Sequence, residues 1–343
     1  MIVSHNGKAI LVVGGAGYIG SHMVHSLIDA GYRVVVFDNL SRGHAEIVSA
    51  PLVLGDLGSL SDIDKCFKNH SIDLVMHFAA LAYVGESVSQ PELYYQNNVI
   101  GTLNLLKIMR QHNVDKLVFS SSCATYGEPE NTPINEHQSQ RPINPYGRTK
   151  LMVEEILRDY GNAYGFKSTI MRYFNAAGCD TKGRVGEWHE PETHIIPLVL
   201  AEAQRLKRGG LPGETSLKVY GGNFPTFDGS CVRDFIHVND ICEAHLLAAQ
   251  QLLAGRIEST EAFNLANGNG FSVFQVIDVC REVTGQPIAY RLAPNRQGDP
   301  SVLVGDAKKA FEVLNWRPKI RDLKEIIKTA WLWTENNDQP SDC

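Results

Sequence analysis

The sequence predicts an α/β fold, a doubly wound parallel sheet with a smaller α/β lobe. Three observations carry that expectation. Short apolar runs recur through the first half of the chain, each followed by a helical pattern, and such alternation builds a parallel sheet with helices on both faces. A glycine-rich turn joins the first run to its helix. Beyond Phe174 the texture changes, with Gly, Pro and polar residues frequent from Asn175 to Glu192 and shorter helices after them. The expected division is 1–174 for the larger lobe, with a return segment near 232–270, and 175–343 for the smaller one.

With 343 residues the chain can bury a large core and form two lobes. A hydrophobic fraction of 43% and a charged fraction of 20% are ordinary for a soluble enzyme. The net charge is -6 without a long basic run, which argues against nucleic acid as a partner. No apolar run approaches the roughly 20 residues that cross a bilayer, so no membrane partner is expected. The stretch Met1 to Lys8 carries no signal-peptide pattern. The 7 cysteines are scattered and form no Cys-x-x-Cys pair, which suits free thiols in a reducing, cytoplasmic compartment. The 12 histidines are dispersed, and no metal site is expected.

In chain order, Ala9 to Val13 reads as a buried strand, followed by Gly14-x-x-Gly17-x-x-Gly20 and a helix ending near Gly31. That glycine spacing serves a tight turn, close backbone approach to a pyrophosphate, and close helix–strand packing. Val34 to Phe37 is the second strand, closed by Asp38, whose carboxylate can accept hydrogen bonds from an adenine ribose. Strand, turn, helix and acid together point to a dinucleotide. The acid favours NAD over NADP, because it repels a 2′-phosphate. Arg42 reads as a solvated loop charge. After the third strand, Leu52 to Leu54, Asp56 has two open readings: an acceptor for the adenine amino group, or a cap for the next helix.

Leu74 to Phe78 is the fourth strand, and the small Ala79 and Ala80 after it leave room for a cofactor. Tyr94 to Gln111 reads as one long helix, with Asn97 and Asn98 either facing the site or serving as ordinary polar positions. Lys116 to Phe119 is a fifth strand running into Ser120, Ser121 and Ser122, where a hydroxyl can enter the cleft. Asn144-Pro145 starts a helix, with Asn144 as N-cap. Tyr146 and Lys150 then lie one turn apart on one face. An ammonium beside a phenol favours the phenolate. A base working near neutral pH needs a shift of roughly 3 units from the ordinary value of about 10. Lys167 to Phe174 is a sixth strand. Pro212 to Asp228 is loop-like, Val232 to Val238 reads as a strand returning to the core, and Asp240 to Ala254, Val273 to Thr284 and Leu323 to Trp333 are helical. Asn336 to Cys343 reads as a tail.

The glycine-rich turn, Ser122 and Tyr146-x-x-x-Lys150 together resemble the extended short-chain dehydrogenase/reductase family, whose large lobe is a Rossmann domain. Within it the chain is most similar to the UDP-glucose/UDP-galactose 4-epimerase branch. The matching stretches are Gly14-Gly-Ala-Gly-Tyr-Ile-Gly-Ser-His22, His77-Phe-Ala-Ala80, Val84-Gly-Glu-Ser87, Tyr94-Tyr-Gln-Asn-Asn98 and Ser120-Ser-Ser-Cys-Ala-Thr-Tyr-Gly127. They continue with Asn144-Pro-Tyr-Gly147, Arg172-Tyr-Phe-Asn175, Val232-Arg-Asp234 and Arg296-Gln-Gly-Asp299. The resemblance implies Ser122, Tyr146 and Lys150 as catalytic residues. It implies that Gly14, Gly17, Tyr18, Ile19, Gly20, Asp38, Asn39, Asp56, Leu57, Phe78, Ala79, Ala80, Asn97 and Phe174, with Tyr146 and Lys150, hold NAD. Ser122, Tyr146, Asn175, Arg233, Arg296, Asp299 and Leu303 would hold a UDP-sugar, two guanidinium groups being suited to a pyrophosphate. A homodimer is also implied.

Two departures bear on the sugar. Ala82-Tyr83 stands where some members carry a Lys, and Leu303 where some carry a bulky Tyr. The implied reaction is 4-epimerisation of UDP-glucose/UDP-galactose through a 4-keto sugar, with UDP-N-acetylhexosamine and UDP-pentose pairs as alternatives. Related dehydratases place Asp-Glu after the active-site hydroxyl, where this chain has Cys123-Ala124. A non-catalytic NAD-binding regulator would be expected to lose Ser122, Tyr146 or Lys150, and all three are present.

Overall fold

The first strand, β1 (Ala9–Val13), is apolar and buried at every position, as a strand covered on both faces must be. Its side chains part alternately. Ile10 and Val12 enter one core, Leu11 and Val13 the other. The computed structural model describes residues 7–296 and 299–337. The chain continues through α1 (Tyr18–Asp29), β2 (Arg33–Asp38), β3 (Leu52–Leu54), α2 (Leu60–Asn69), β4 (Leu74–His77), α3 (Val84–Ser89), α4 (Pro91–Tyr94), α5 (Gly101–Gln111), β5 (Lys116–Ser122), α6 (Pro145–Tyr164) and β6 (Lys167–Tyr173). It then runs through β7 (Asn175–Ala177), α7 (Ile195–Lys207), β8 (Lys218–Tyr220), β9 (Val232–His237), α8 (Val238–Leu253), β10 (Glu261–Leu265) and β11 (Gly270–Ser272). The last elements are α9 (Val273–Thr284), β12 (Arg291–Ala293), β13 (Val302–Leu303), α10 (Lys308–Leu314) and α11 (Leu323–Asn336).

Seven strands form one sheet in the order β10-β6-β5-β4-β1-β2-β3, every pair parallel. The order reverses between β1 and β4, and a crevice opens there beyond the strands' carboxyl ends. A single residue, Phe174, separates β6 from β7, so the chain passes directly into the second sheet. There β9 pairs with β7 and β13 in parallel and with β11 antiparallel. Leu200 of α7, Ile277 of α9 and Ile327 of α11 share the core of this smaller lobe.

Several local expectations change. Val232–His237 pairs in the second sheet, while its Ile236 reaches the large core. The return continues through α8, β10 and α10, whose Ile241, Phe263 and Leu314 join the large core. Pro212 to Asp228 contains β8, which pairs with the distant β12 and so leaves no local signature. α7 is likewise unannounced, because its Ile195-Ile196-Pro197 start has β-branched residues and a breaker. The expected helix from Tyr94 to Gln111 is interrupted by a π-helical segment, Tyr95–Ile100. Cys343 and the residues beyond Asn337 lie outside the described residues.

Four histidines lie inside the cores at 2% exposure or less: His22, His77, His237 and His245. Burial lowers His22 and His245 to about 4, and His77 and His237 to about 3. Their unfolded value is about 6.5. Below it the unfolded chain binds protons that the folded chain refuses. Their contribution is therefore whole above that value and is lost as pH falls towards the folded values. The loss is on the order of 1 kcal/mol per histidine per pH unit. Calorimetric melting between about pH 6.5 and pH 4.5 is expected to show a steep fall in midpoint; a flat profile would contradict this reading.

Candidate active site

Two glycines shape the turn after β1. Gly14 has φ +82°, and a Cβ there would lie 2.3 Å from the Ala79 nitrogen. At Gly20 a Cβ would lie 2.0 Å from the Gly14 carbonyl oxygen. The turn is therefore pressed against the β4 loop and α1 against the turn. Gly17 starts α1 with extended backbone and no side-chain cap, which leaves first-turn N–H groups available to an anion. Asp38 ties this turn down. One carboxylate oxygen accepts from the Ala16 N–H at 3.0 Å, the other from Leu40 at 2.9 Å.

Gly14, Gly17, Tyr18, Ile19, Gly20, Asp38, Asn39, Leu57, Phe78, Ala79, Ala80, Asn97 and Phe174 all line one cavity of about 380 Å³. Asp56 is not among the lining residues. Its carboxylate accepts from Asn39 Nδ2 at 2.6 Å and from the Gly58 N–H at 2.6 Å, and Ser59 caps α2 in its place. Arg42 is not a solvated charge. It lines the cavity, pairs with Glu86 at 2.8 Å and lies 5.1 Å from the Tyr83 ring centre. Glu86 thereby occupies the guanidinium that a 2′-phosphate would need. Asn97 and Asn98 divide the two roles left open for them. Asn97 faces the cavity, while buried Asn98 bridges Leu81 to Thr149 of α6.

Ser122, Tyr146 and Lys150 meet in the same cavity. Asn144 accepts from the Gly147 N–H at 2.8 Å, and Pro145 takes the first helical position, as the sequence indicates. A Cβ at Gly147 would lie 2.4 Å from the Ala124 carbonyl oxygen, so only glycine lets α6 approach the end of β5 this closely. Ser122 stands close enough to the Tyr146 phenol to favour its ionised form. Lys150 Nζ donates to the Ser120 carbonyl at 2.7 Å and lies 5.9 Å from the Tyr146 ring centre.

The electrostatics correct the sequence expectation. Burial, above all, pushes Tyr146 up to about 12, and its neighbour Ser122 only partly offsets it. Burial likewise brings Lys150 down to about 7, against the opposing field of Glu154. Desolvation disfavours both charged forms here.

Asn175 lines the cavity, whereas Arg233, Arg296, Asp299 and Leu303 are not among its lining residues. They gather on the smaller lobe. Arg233 pairs with Asp299 and stands opposite Leu303 in the sheet register. Arg296 lies 4.0 Å from the Tyr220 ring centre. Leu303 packs on a cluster containing Cys123 and Phe174, and thus adjoins the residues flanking Ser122.

One further group joins the cavity. Glu187, His189 and His194 line it, and with Glu192 they form a compact His/Glu cluster. The run Glu-x-His-x-x-Glu-x-His is visible in the sequence, but a surface loop of ion pairs has the same pattern. Burial lowers His189 and His194, but the neighbouring carboxylates of Glu187 and Glu192 outweigh it and raise them to about 9 and about 10.

The NAD dependent epimerase/dehydratase family model matches residues 10–266. A UDP-glucose 4-epimerase of Halalkalibacterium halodurans is 48% identical, covering 96% of this chain and 99% of its own. The crystal structure of UDP-glucose 4-epimerase from Brucella ovis in complex with NAD superposes with a TM-score of 0.88 at 44% identity, covering 95% of this chain and 98% of the other. The UDP-glucose 4-epimerase from Bifidobacterium longum in complex with NAD+ and UDP gives a TM-score of 0.89 at 35% identity, over 96% and 99% of the two chains. With a glycine-shaped dinucleotide cavity and the Ser122, Tyr146 and Lys150 side chains inside it, the chain belongs to the NAD dependent epimerase/dehydratase family.

Proposed function

We propose that the protein is an isomerase that interconverts UDP-glucose and UDP-galactose at C4 with NAD as a recycled cofactor. The observation that carries this reading is the meeting of Ser122, Tyr146 and buried Lys150 in the dinucleotide cavity. The two residues after Ser122 add no acid or base. Burial pushes the Cys123 thiol up to about 12, and Ala124 has nothing to ionise. Loss of water from the sugar needs such groups, whereas epimerisation does not.

The 4-hydroxyl of the sugar is held by Ser122 and Tyr146, and Tyr146 takes its proton. Bound NAD+ supplies the hydride acceptor and, as a cation, the charge that offsets the burial of the phenol. Lys150 is positioned by the Ser120 carbonyl and adds positive charge on the same side. The 4-keto sugar then turns and is reduced on its other face, Tyr146 returning the proton. Arg233, Arg296 and Asp299 hold the UDP part, so Asp299 must share Arg233 with the pyrophosphate. The sugar itself must be held loosely, because both faces have to reach one hydride donor.

The site lies in a single chain, and the assembly we propose is a homodimer. Leu93, Ile100 and Met152 are each more than 40% exposed, on α4, the π-helical segment and α6, which pack together. A one-chain mass by light scattering would remove this proposal. Free thiols at Cys66, Cys123, Cys179, Cys231, Cys242 and Cys280 support a reducing compartment such as the cytoplasm.

Tyr146→Phe is expected to lower kcat by about 10² to 10⁴ while NAD affinity stays within about threefold, since the phenol moves a proton and the glycine turn holds the cofactor. Equal losses in both would give Tyr146 a structural role. Lys150→Ala is expected to move the acidic limb of the rate profile to higher pH, because the phenol loses its cationic neighbour; an unmoved limb argues against that role. Among UDP-hexose, UDP-N-acetylhexosamine and UDP-pentose pairs, kcat/KM is expected to be highest for the hexoses. Leu303→Tyr is expected to depress the N-acetylhexosamine pair selectively. A strong preference for the pentose pair would overturn the substrate assignment.

A further inference from the structure

We propose that Glu187, His189, Glu192 and His194, in the loop between β7 and α7, bind one divalent metal ion of the zinc class beside the cofactor cavity. Their four ligand atoms lie within 4.8 Å of one another. His189 Nδ1 stands 3.3 Å from Glu187 Oε1 and 3.4 Å from Glu192 Oε2. His194 Nδ1 stands 3.1 Å from Glu187 Oε1 and 2.8 Å from Glu192 Oε1. A tetrahedral ion bound at about 2.0–2.1 Å sets its ligands about 3.3 Å apart; the two separations from Glu187 Oε1, 3.3 and 3.1 Å, lie close to that edge, while Glu192 offers a different oxygen to each histidine. The 4.8 Å span means that one side chain closes up on binding.

A second observation separates this cluster from an ordinary ion-pair network. His189 Nδ1 is a buried atom that makes no hydrogen bond, although two carboxylates stand beside it. An atom in that position has a coordination role open to it. Two imidazole nitrogens and two carboxylate oxygens form a donor set that zinc accepts, and a dication balances the two carboxylates. Each histidine binds as neutral imidazole and releases a proton to solvent.

Bound there, the ion ties the loop to the cavity wall. The His189 ring meets the rings of Tyr18 and Tyr83 edge-on, with centres 5.9 and 6.2 Å away. Tyr18 is the first residue of α1, and its hydroxyl donates to the Gly178 carbonyl at 2.5 Å, at the other end of the same loop. The ion therefore fixes the His189 ring, and with it the loop, against Tyr18 and Tyr83 beside the glycine-rich turn.

The test uses the full-length holoprotein without an affinity tag, treated with a chelator and titrated with zinc chloride by calorimetry. About one zinc per chain is expected, bound at least 100-fold more weakly by His189→Ala and by His194→Ala. Anomalous diffraction at the zinc edge from loaded wild-type crystals needs no variant. It is expected to place the ion about 2.0–2.1 Å from both Nδ1 atoms. NAD is expected to leave the zinc-loaded protein several-fold more slowly than the chelated one. Failure to bind zinc, undiminished binding by both variants, or an anomalous peak elsewhere would overturn the site. Equal rates of NAD release would overturn the fixing of the loop.

Discussion

The catalytic face depends on one buried ion pair, Arg172 with Glu154. Arg172 lies on β6 opposite Ser121 of β5, and Glu154 lies on α6 one turn beyond Lys150. The guanidinium meets the carboxylate at 2.5 and 2.9 Å, and Ser121 donates to it at 2.6 Å. Burial would raise Glu154, but Arg172 and Ser121 hold it below the usual carboxylate value. Such a pair adds little net stability, yet losing one partner typically costs about 3–5 kcal/mol. Its consequence here is orientation. A helix turns about 100° per residue, so fixing Glu154 against β5 and β6 also fixes the direction of Lys150 and Tyr146. Tyr126 and Gln140 accept two further guanidinium hydrogens, which leaves the network little freedom to rotate.

That orientation places the phenol and the ammonium where water is scarce. The same burial that positions them suppresses their charged forms, Tyr146 upward and Lys150 downward. A permanently ionised base would be reactive whether or not cofactor and sugar were present. In the proposed mechanism, the charge of bound NAD+ would be what makes a base raised by burial reactive.

The two lobes are joined by backbone as much as by side chains. Buried Asp234 accepts from the N–H groups of Asn267, Gly268 and Gly305, linking β9 to the segments after β10 and β13. Burial raises its carboxyl to about 6 despite those bonds. This arrangement keeps Arg233, on the same strand, at a fixed place relative to Ser122, whose neighbour Cys123 feels the Arg233 charge. The loop from Gly178 to His194 covers another part of the wall, held by Tyr18 and the His/Glu cluster.

The sequence by itself determined what rests on local physics. A strand followed by Gly14, Gly17 and Gly20 specifies the turn, because only glycine tolerates the approaches made at Gly14 and Gly20. Asn144-Pro145 specifies where α6 begins, and helical spacing then puts Tyr146 and Lys150 on one face. Asp38 was legible because it ends a strand beside that turn. Tertiary structure decided what rests on partners remote in the chain. Glu86 captures Arg42, and Asn39 and Gly58 turn Asp56 away from the cavity. β8 exists only because β12 pairs with it. The direction in which Tyr146 shifts is also a tertiary property. Spacing along a helix reveals that a lysine is near, whereas desolvation depends on everything that packs around the phenol, and here desolvation is the larger effect.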